Sequence, residues 1–285
     1  MALGLAIALL AQVEALPPSL EPAFRLHQLA VTATGEARIK AIRASNAEVA
    51  RVVQEGKLGT ATEYRRAARL LIPLEGDLVP VQMVHELSLV AAAMNDEESS
   101  RLLASSWDAL RVATGRRQRF GTIRVPKELA GLDRWQPDPA PETLRRIHAN
   151  PGRERTLRLR RADNRNLVKD RTALGTETDL AALIRRTRER VMRGEAQTSI
   201  DMLNAADILG DSTAFEEVSL AHELCLGAIW LGNRDALARA ASTYDRALLI
   251  ASYPQRFGTQ RPFGTPEFLD SYGISEAMRR AVIGG

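Results

Sequence analysis

Two segments of this 285-residue chain set a histidine beside a glutamate in an apolar run, His85-Glu86-Leu87 and His222-Glu223-Leu224. An aspartate follows 23 residues after each histidine, Asp108 or Asp245, and then the pentapeptide QRFGT, at 118–122 and at 255–259. An imidazole held by a carboxylate is the arrangement of a general base and its orienter. It is equally the arrangement of a buried network, because polar groups enclosed among apolar ones are costly unless bonded. The pentapeptides add Gln118, Arg119 and Thr122, or Gln255, Arg256 and Thr259, as hydrogen-bonding groups. Phe120 or Phe257 can anchor the turn in the core, and Gly121 or Gly258 allows an otherwise strained bend. QRFGT is therefore expected to fold back across the helix ends and complete the network of His, Glu and Asp. The second cluster is the richer: Arg246 stands where the first has Ala109, and Gln260 where it has Ile123.

The surrounding residues exclude several other chemistries. Neither His-Glu segment has the second histidine of an HExxH zinc site, so no metal is expected, and no cofactor is called for. The stretch 115–122 is one residue too long for a phosphate loop, lacks its lysine and follows a helix. There is no nucleophile elbow and no dinucleotide-binding glycine fingerprint. The one cysteine, Cys225, lies in an apolar run and is expected to be a small core residue.

Sliding the chain by 137 residues lays 85–122 on 222–259 without a gap, with 13 of 38 positions identical. Upstream, a shift of 138 matches Val53, Gly56, Thr60, Ala67, Ala68 and Leu71 to Val191, Gly194, Thr198, Ala205, Ala206 and Leu209. A tandem duplication follows, and two such copies can pack on each other. Each copy parses into about four helices. The first runs over 36–55, or about 177–193, and stops at Gly56 or Gly194, residues suited to a left-handed cap. The second spans 62–71 or 199–209, with a hydroxyl cap available and a breaker, Pro73 or Gly210, after it. The third carries His-Glu-Leu, with Pro80 suited to its first turn in copy one, and the fourth carries the aspartate. In copy two the third helix is apolar nearly all round, so it must be central. No segment alternates with period two, and aromatics make up only 5% of a chain rich in alanine, leucine and arginine. The expected fold class is all-α. The short turn near 232–235 makes the third and fourth helices antiparallel neighbours. His222 and Asp245 lie at matching distances from that turn, so equal rise puts them at similar heights. A His–Asp contact in both copies, and a Glu223–Arg246 pair in the second alone, are the expected result.

The chain thus divides into a signal-like segment 1–15, an N-terminal copy 16–125 with the poorer cluster, a Pro- and Arg-rich connector 126–175 and a C-terminal copy 176–285. The apolar run 2–11 is too short to cross a bilayer. With Val13 and Ala15 at small-residue positions it resembles a signal-peptide core without the basic start, and it also suits a short buried helix. Cleavage there would make the protein periplasmic or secreted; otherwise it stays cytoplasmic. Prolines make a loop in the connector, and 141–148 a short helix. Its stretch 153–171 holds eight basic and three acidic residues. Without interleaved aromatics or a recognition helix, a solvated linker or subunit contact is favoured over nucleic acid. The net charge of +4 permits an acidic partner without demanding one.

The runs LAHELCLGAIWLG and YDRALLIASYPQRFGTQ resemble a family of uncharacterised bacterial helical proteins with a signature close to AHELA, then DRYL, then PQxFGTQ. The upstream GEAQTSIDMLNAADIL is similar to that family's lead-in, where an acidic residue precedes a paired alanine. The resemblance covers 184–260 well and 50–122 more loosely. Where the family continues with a Gln-His pair, this chain has Gly210–Asp211 and Ile72–Pro73, so no activity resting on that histidine carries over. What the resemblance implies is a helical fold and the same choice of residues, not a chemistry. The residues themselves point to a noncatalytic helical protein that binds a protein partner or small polar ligand through the C-terminal cluster of His222, Glu223, Asp245, Arg246, Gln255, Arg256, Thr259 and Gln260. The other reading is a hydrolase-type enzyme with His222 as base and Asp245 as orienter.

Overall fold

The computed structural model describes residues 16–125, 141–158, 161–176, 179–260 and 274–283. The signal-like segment 1–15 and the proline-rich loop 126–140 lie outside them. About 70% of the described residues are helical, with no strand among them, so the fold is all-α. No helix among these residues is long and apolar enough to cross a membrane. The chain divides into two compact units, 1–139 with 272–278 and 140–271 with 279–285.

The first unit contains α1 (Glu21–Thr32), α2 (Gly35–Gln54), α3 (Ala61–Leu70), α4 (Val79–Ala93) and α5 (Ser99–Ala113). Helix α1 lies along α2, and α4 is packed between α3 and α5. The second unit contains α6 (Glu142–Ala149), α7 (Pro151–Arg158), α8 (Arg165–Thr172), α9 (Leu180–Met192), α10 (Ser199–Leu209), α11 (Phe215–Trp230) and α12 (Ala236–Ile250). Here α11 is packed between α10 and α12, with α8 against α10 and α6 against α11. A short helix, α13 (Glu276–Ile283), ends the described chain.

Local chemistry explains the boundaries. Thr60 and Thr198 each cap a helix through a reciprocal box with the third residue in, Glu63 or Asp201. Gly56 and Gly194 take left-handed φ of 65° and 78° just past α2 and α9, a conformation that glycine adopts without the strain a Cβ adds. Pro80 sits in the first turn of α4, where its missing N–H costs nothing. Helices α4 and α11 are buried along almost their whole length, as apolar residues on every face require. Cys225 on α11 is a core residue whose thiol burial pushes up to about 12.

The connector, in which 141–148 was expected to be a short helix and 153–171 a solvated linker or subunit contact, forms three helices of the second unit. Its apolar residues Leu144, Ile147 and Leu167 are buried, and α6 fits α11 closely because position 227 is glycine: a Cβ there would come within 2.6 Å of Leu144. Three of its arginines bond to the rest of the unit, while Arg153, Arg161 and Arg165 are exposed. Arg155 Nη2 donates to the Trp230 carbonyl at 3.0 Å, Arg158 Nη1 to the Gln197 carbonyl at 2.8 Å, and Arg171 Nη1 to Asn204 Oδ1 at 3.0 Å. Asp170 from the same stretch meets the Arg190 guanidinium. A high arginine count alone could not distinguish carbonyl-capping guanidinia from a solvated run.

The C-terminus of α12 carries a strained position. Ser252 has a φ of 65°, at the place where α5 is followed by Gly115 at 74°. Both terminate their helices with the same pair of backbone bonds, from the left-handed residue and from the one after it. A Cβ in that region costs about 1–2 kcal/mol, part of which is returned by glycine's greater freedom when unfolded. Ser252→Gly is therefore expected to stabilise the protein by about 0.5–1 kcal/mol, seen as a higher midpoint in urea without a change of slope.

Candidate functional site

The repeated pentapeptide folds around the aspartate of the preceding helix. In the second unit, Asp245 Oδ1 accepts from the backbone N–H of Arg256 at 2.8 Å and of Phe257 at 3.0 Å. Its Oδ2 accepts from Thr259 N at 2.8 Å and from Thr259 Oγ1 at 2.8 Å. In the first unit Asp108 receives the same four bonds from Arg119 N, Phe120 N, Thr122 N and Thr122 Oγ1, at 2.6, 3.0, 2.8 and 2.7 Å. Four donors fill the lone-pair directions of a carboxylate. Glycine at 121 and 258 supplies the left-handed φ, 68° and 73°, that turns the threonine back to the acid.

Glutamine closes the ring. Gln255 Oε1 accepts from Gln260 N at 2.8 Å, and its Nε2 donates to Gln260 O at 3.3 Å. Gln118 makes the same two bonds to the backbone of Ile123, at 3.0 and 2.9 Å. A side-chain amide is here used as a peptide group, pairing with both faces of a residue five positions on. Beyond it the units differ. Ile123 is buried with Val112 and Val125, whereas Gln260 Nε2 donates to Ser242 O at 2.8 Å and Ser242 Oγ at 2.9 Å. One tail is held by apolar packing and the other by an amide. Phe257 is buried edge-on to Tyr244, with ring centroids 6.1 Å apart.

The expected His–Asp contact is absent, and helix geometry says why. His222 Nδ1 lies 3.0 Å from the Ala240 carbonyl and 3.3 Å from Thr243 Oγ1; His85 Nδ1 lies 3.0 Å from Ser106 Oγ. Each hydroxyl is two residues before the aspartate, and two residues rotate a helix by about 200°, so a histidine facing one cannot face the other. Matching heights along two helices had fixed the level and left the azimuth open. The residue between faces the imidazole: Tyr244 is 5.7 Å from His222, and Trp107 is 5.8 Å from His85. These hydroxyl-aromatic-aspartate triplets, Ser106-Trp107-Asp108 and Thr243-Tyr244-Asp245, are the signal that sequence reasoning missed. Because a carbonyl can only accept, Nδ1 of His222 carries the proton. Burial depresses the His222 pKa to about 3, the Ala240 carbonyl acting weakly the other way, so the ring is neutral.

The expected Glu223–Arg246 pair is likewise replaced. Arg246 Nη2 donates to the Asp211 carbonyl at 3.1 Å, while Glu223 Oε1 accepts from Ser219 Oγ at 3.0 Å. Glu86, Glu223, Arg119 and Arg256 are all enclosed, one of each sign per unit.

The Gly210–Asp211 pair has its own cause. Arg239 Nη2 lies across Gly210, where a Cβ would come within 2.7 Å. It donates to Asp207 O at 2.5 Å and Asp211 Oδ1 at 3.3 Å, and its Nε lies 3.3 Å from Asp207 Oδ1. Burial raises the Asp207 pKa, opposed by the Arg239 and Arg171 guanidinia. The first unit reverses the polarity, with Arg65 near α3's centre bridging Asp96 and Glu98 at the start of α5.

Two surface grooves mark the second unit. One, of about 700 Å³, runs between α9 and the turn 211–214; the other, of about 530 Å³, is lined by Arg171, Asp207, Asp235, Arg239 and Ser242. Neither is lined by His222 or Asp245. Among the described residues no group of three or more His, Cys, Asp or Glu side chains is placed to hold a metal ion. No family model matches the chain, and no curated protein or solved structure is significantly similar to it.

Proposed function

We propose that this is a noncatalytic protein built by tandem duplication, in which the His/Asp/Arg/Gln clusters are internal latches and binding of a partner or small polar ligand falls to the surface of the C-terminal unit. The observation that carries this reading is the state of Asp245: enclosed, with all four acceptor positions occupied by the pentapeptide. A carboxylate so committed cannot also orient an imidazole. The duplication is supported by 13 identities in 38 positions and by four bonds repeated at the same chain separations.

The hydrolase reading needs His222 to take a proton from a substrate near neutral pH. Its enclosure and its depressed pKa favour a packing role. The two readings separate by linkage. A histidine that titrates near 6.5 unfolded and near 3 folded adds stability that is fully present above pH 6.5 and drains away as the pH falls towards 3. The full effect is on the order of 5 kcal/mol, of which about 3 kcal/mol is lost by pH 4. Urea unfolding of the wild type between pH 7.5 and 4 is expected to show this loss, and His222→Gln to be less stable at pH 7 with a shallower decline. A variant as stable as the wild type, with the same pH dependence, would favour the catalytic reading.

A further inference from the structure

We propose that the groove lined by Arg171, Asp207, Asp235 and Arg239 binds a free cationic amino acid, its side-chain cation on Asp235 and its α-carboxylate on the two arginines. The inference deepens the ligand-binding role given above and rests on it. The first unit shows what the groove lacks. There Glu98, just before α5, is answered by two arginines of α3: Arg65 Nη1 lies 2.5 Å and Arg69 Nη2 3.2 Å from its Oε2. Under the tandem register Arg65 becomes Leu203, Arg69 becomes Asp207 and Glu98 becomes Asp235, just before α12. The acid is kept, and both of its cations are gone.

Other contacts do not make up the loss. Asp235 is exposed, and its carboxylate bonds to no described residue. Arg239, one turn along α12, stands at the spacing of a helix ion pair. Its Nε instead lies 3.3 Å from Asp207 Oδ1, and its Nη2 bonds to Asp207 O and Asp211 Oδ1. Arg171 holds the other oxygen of Asp207, Nε to Oδ2 at 2.9 Å, and donates through Nη1 to Asn204. With Asp207 and Asp211 answering the two guanidinia, Asp235 is the charge left over. Each guanidinium also keeps one NH₂ group, Arg171 Nη2 and Arg239 Nη1, that bonds to no described residue. The lone acid calls for a cation, and the unused guanidinium donors suit a carboxylate. An amino acid with a basic side chain supplies both, with a net positive charge to match the surplus acid. Leu203 and Ala238 line the same groove and suit its methylene stem. A volume of about 530 Å³ gives room for one such molecule.

The test is calorimetric titration of the full chain with L-arginine, at low ionic strength because salt screens exposed contacts. Saturable binding of one molecule per chain is expected. Citrulline, of the same size without the side-chain charge, is expected to bind at least about tenfold more weakly, and agmatine, which lacks the carboxylate, several-fold more weakly. Asp235→Asn changes an exposed side chain without a bond to lose, so it should remove the preference for arginine over citrulline and leave unfolding unchanged. Arg171→Gln should remove the preference over agmatine. No saturable heat, or citrulline or agmatine binding as tightly as arginine, overturns the proposal, and so does an unchanged preference in Asp235→Asn. The proposed function is judged by the pH dependence of unfolding, so either can fail without the other.

Discussion

Replacing Asp245 by alanine is expected to destabilise the protein by about 3–5 kcal/mol, the larger of the effects that removal of one hydrogen-bonding side chain can produce here. The reason is an asymmetry. Each bond to the carboxylate contributes modestly while it exists, but deleting the acid strands the enclosed N–H groups of Arg256 and Phe257 and the part-buried one of Thr259. Asn in place of Asp keeps one accepting oxygen and turns an NH₂ group onto Thr259, setting donor against donor. It is expected to lose about 2–3 kcal/mol. Thr259→Val removes a single bond and is expected to lose about 1 kcal/mol. Guanidinium unfolding of the three variants checks the ranking. If Asp245→Ala lost no more than Thr259→Val, the pentapeptide would not depend on its acid. Asp108, with the same four donors, provides a second measurement in the other unit.

The helical class and the ends of several helices were legible because they are set by short-range chemistry: capping threonines, left-handed glycines and a proline in the first turn. The clustering of pentapeptide and aspartate was also within reach, since repetition marks residues that act together. What was not legible was which polar group faces which. His222 and Asp245 are level with one another, yet a rotation of two residues along α12 sends the imidazole to Thr243 and the carboxylate to the tail. A level follows from counting residues from a turn. An azimuth follows from how two helices pack, and large side chains such as Tyr244 decide that. Two arginines of 153–171 were not legible for a related reason. The partners of Arg155 and Arg158 are backbone carbonyls, at Trp230 and Gln197, which no pattern of side-chain types reveals.

Arg256→Met is expected to cost about 3–5 kcal/mol, because a guanidinium enclosed in the core must be answered by charge of opposite sign and its loss leaves that charge alone. Methionine preserves the length and apolar stem, so the loss reports on charge rather than on a cavity. Asp245 is already saturated by peptide donors, which makes Glu223, the other enclosed carboxylate of the cluster, the expected counter-charge. The double-mutant cycle decides it. Glu223→Gln alone should also be strongly destabilising, whereas Glu223→Gln combined with Arg256→Met should be less damaging than the sum, with a coupling of at least about 1 kcal/mol. Strict additivity would mean that Arg256 is compensated by backbone carbonyls instead, and Glu223 by its own set of donors beginning with Ser219. The same cycle on Glu86 and Arg119 should give a coupling of the same sign, because both charges are again enclosed beside a saturated aspartate. Agreement between the two cycles would make the charge pair, together with the acid-bound turn, the feature that keeps a repeated pentapeptide in both halves of the chain.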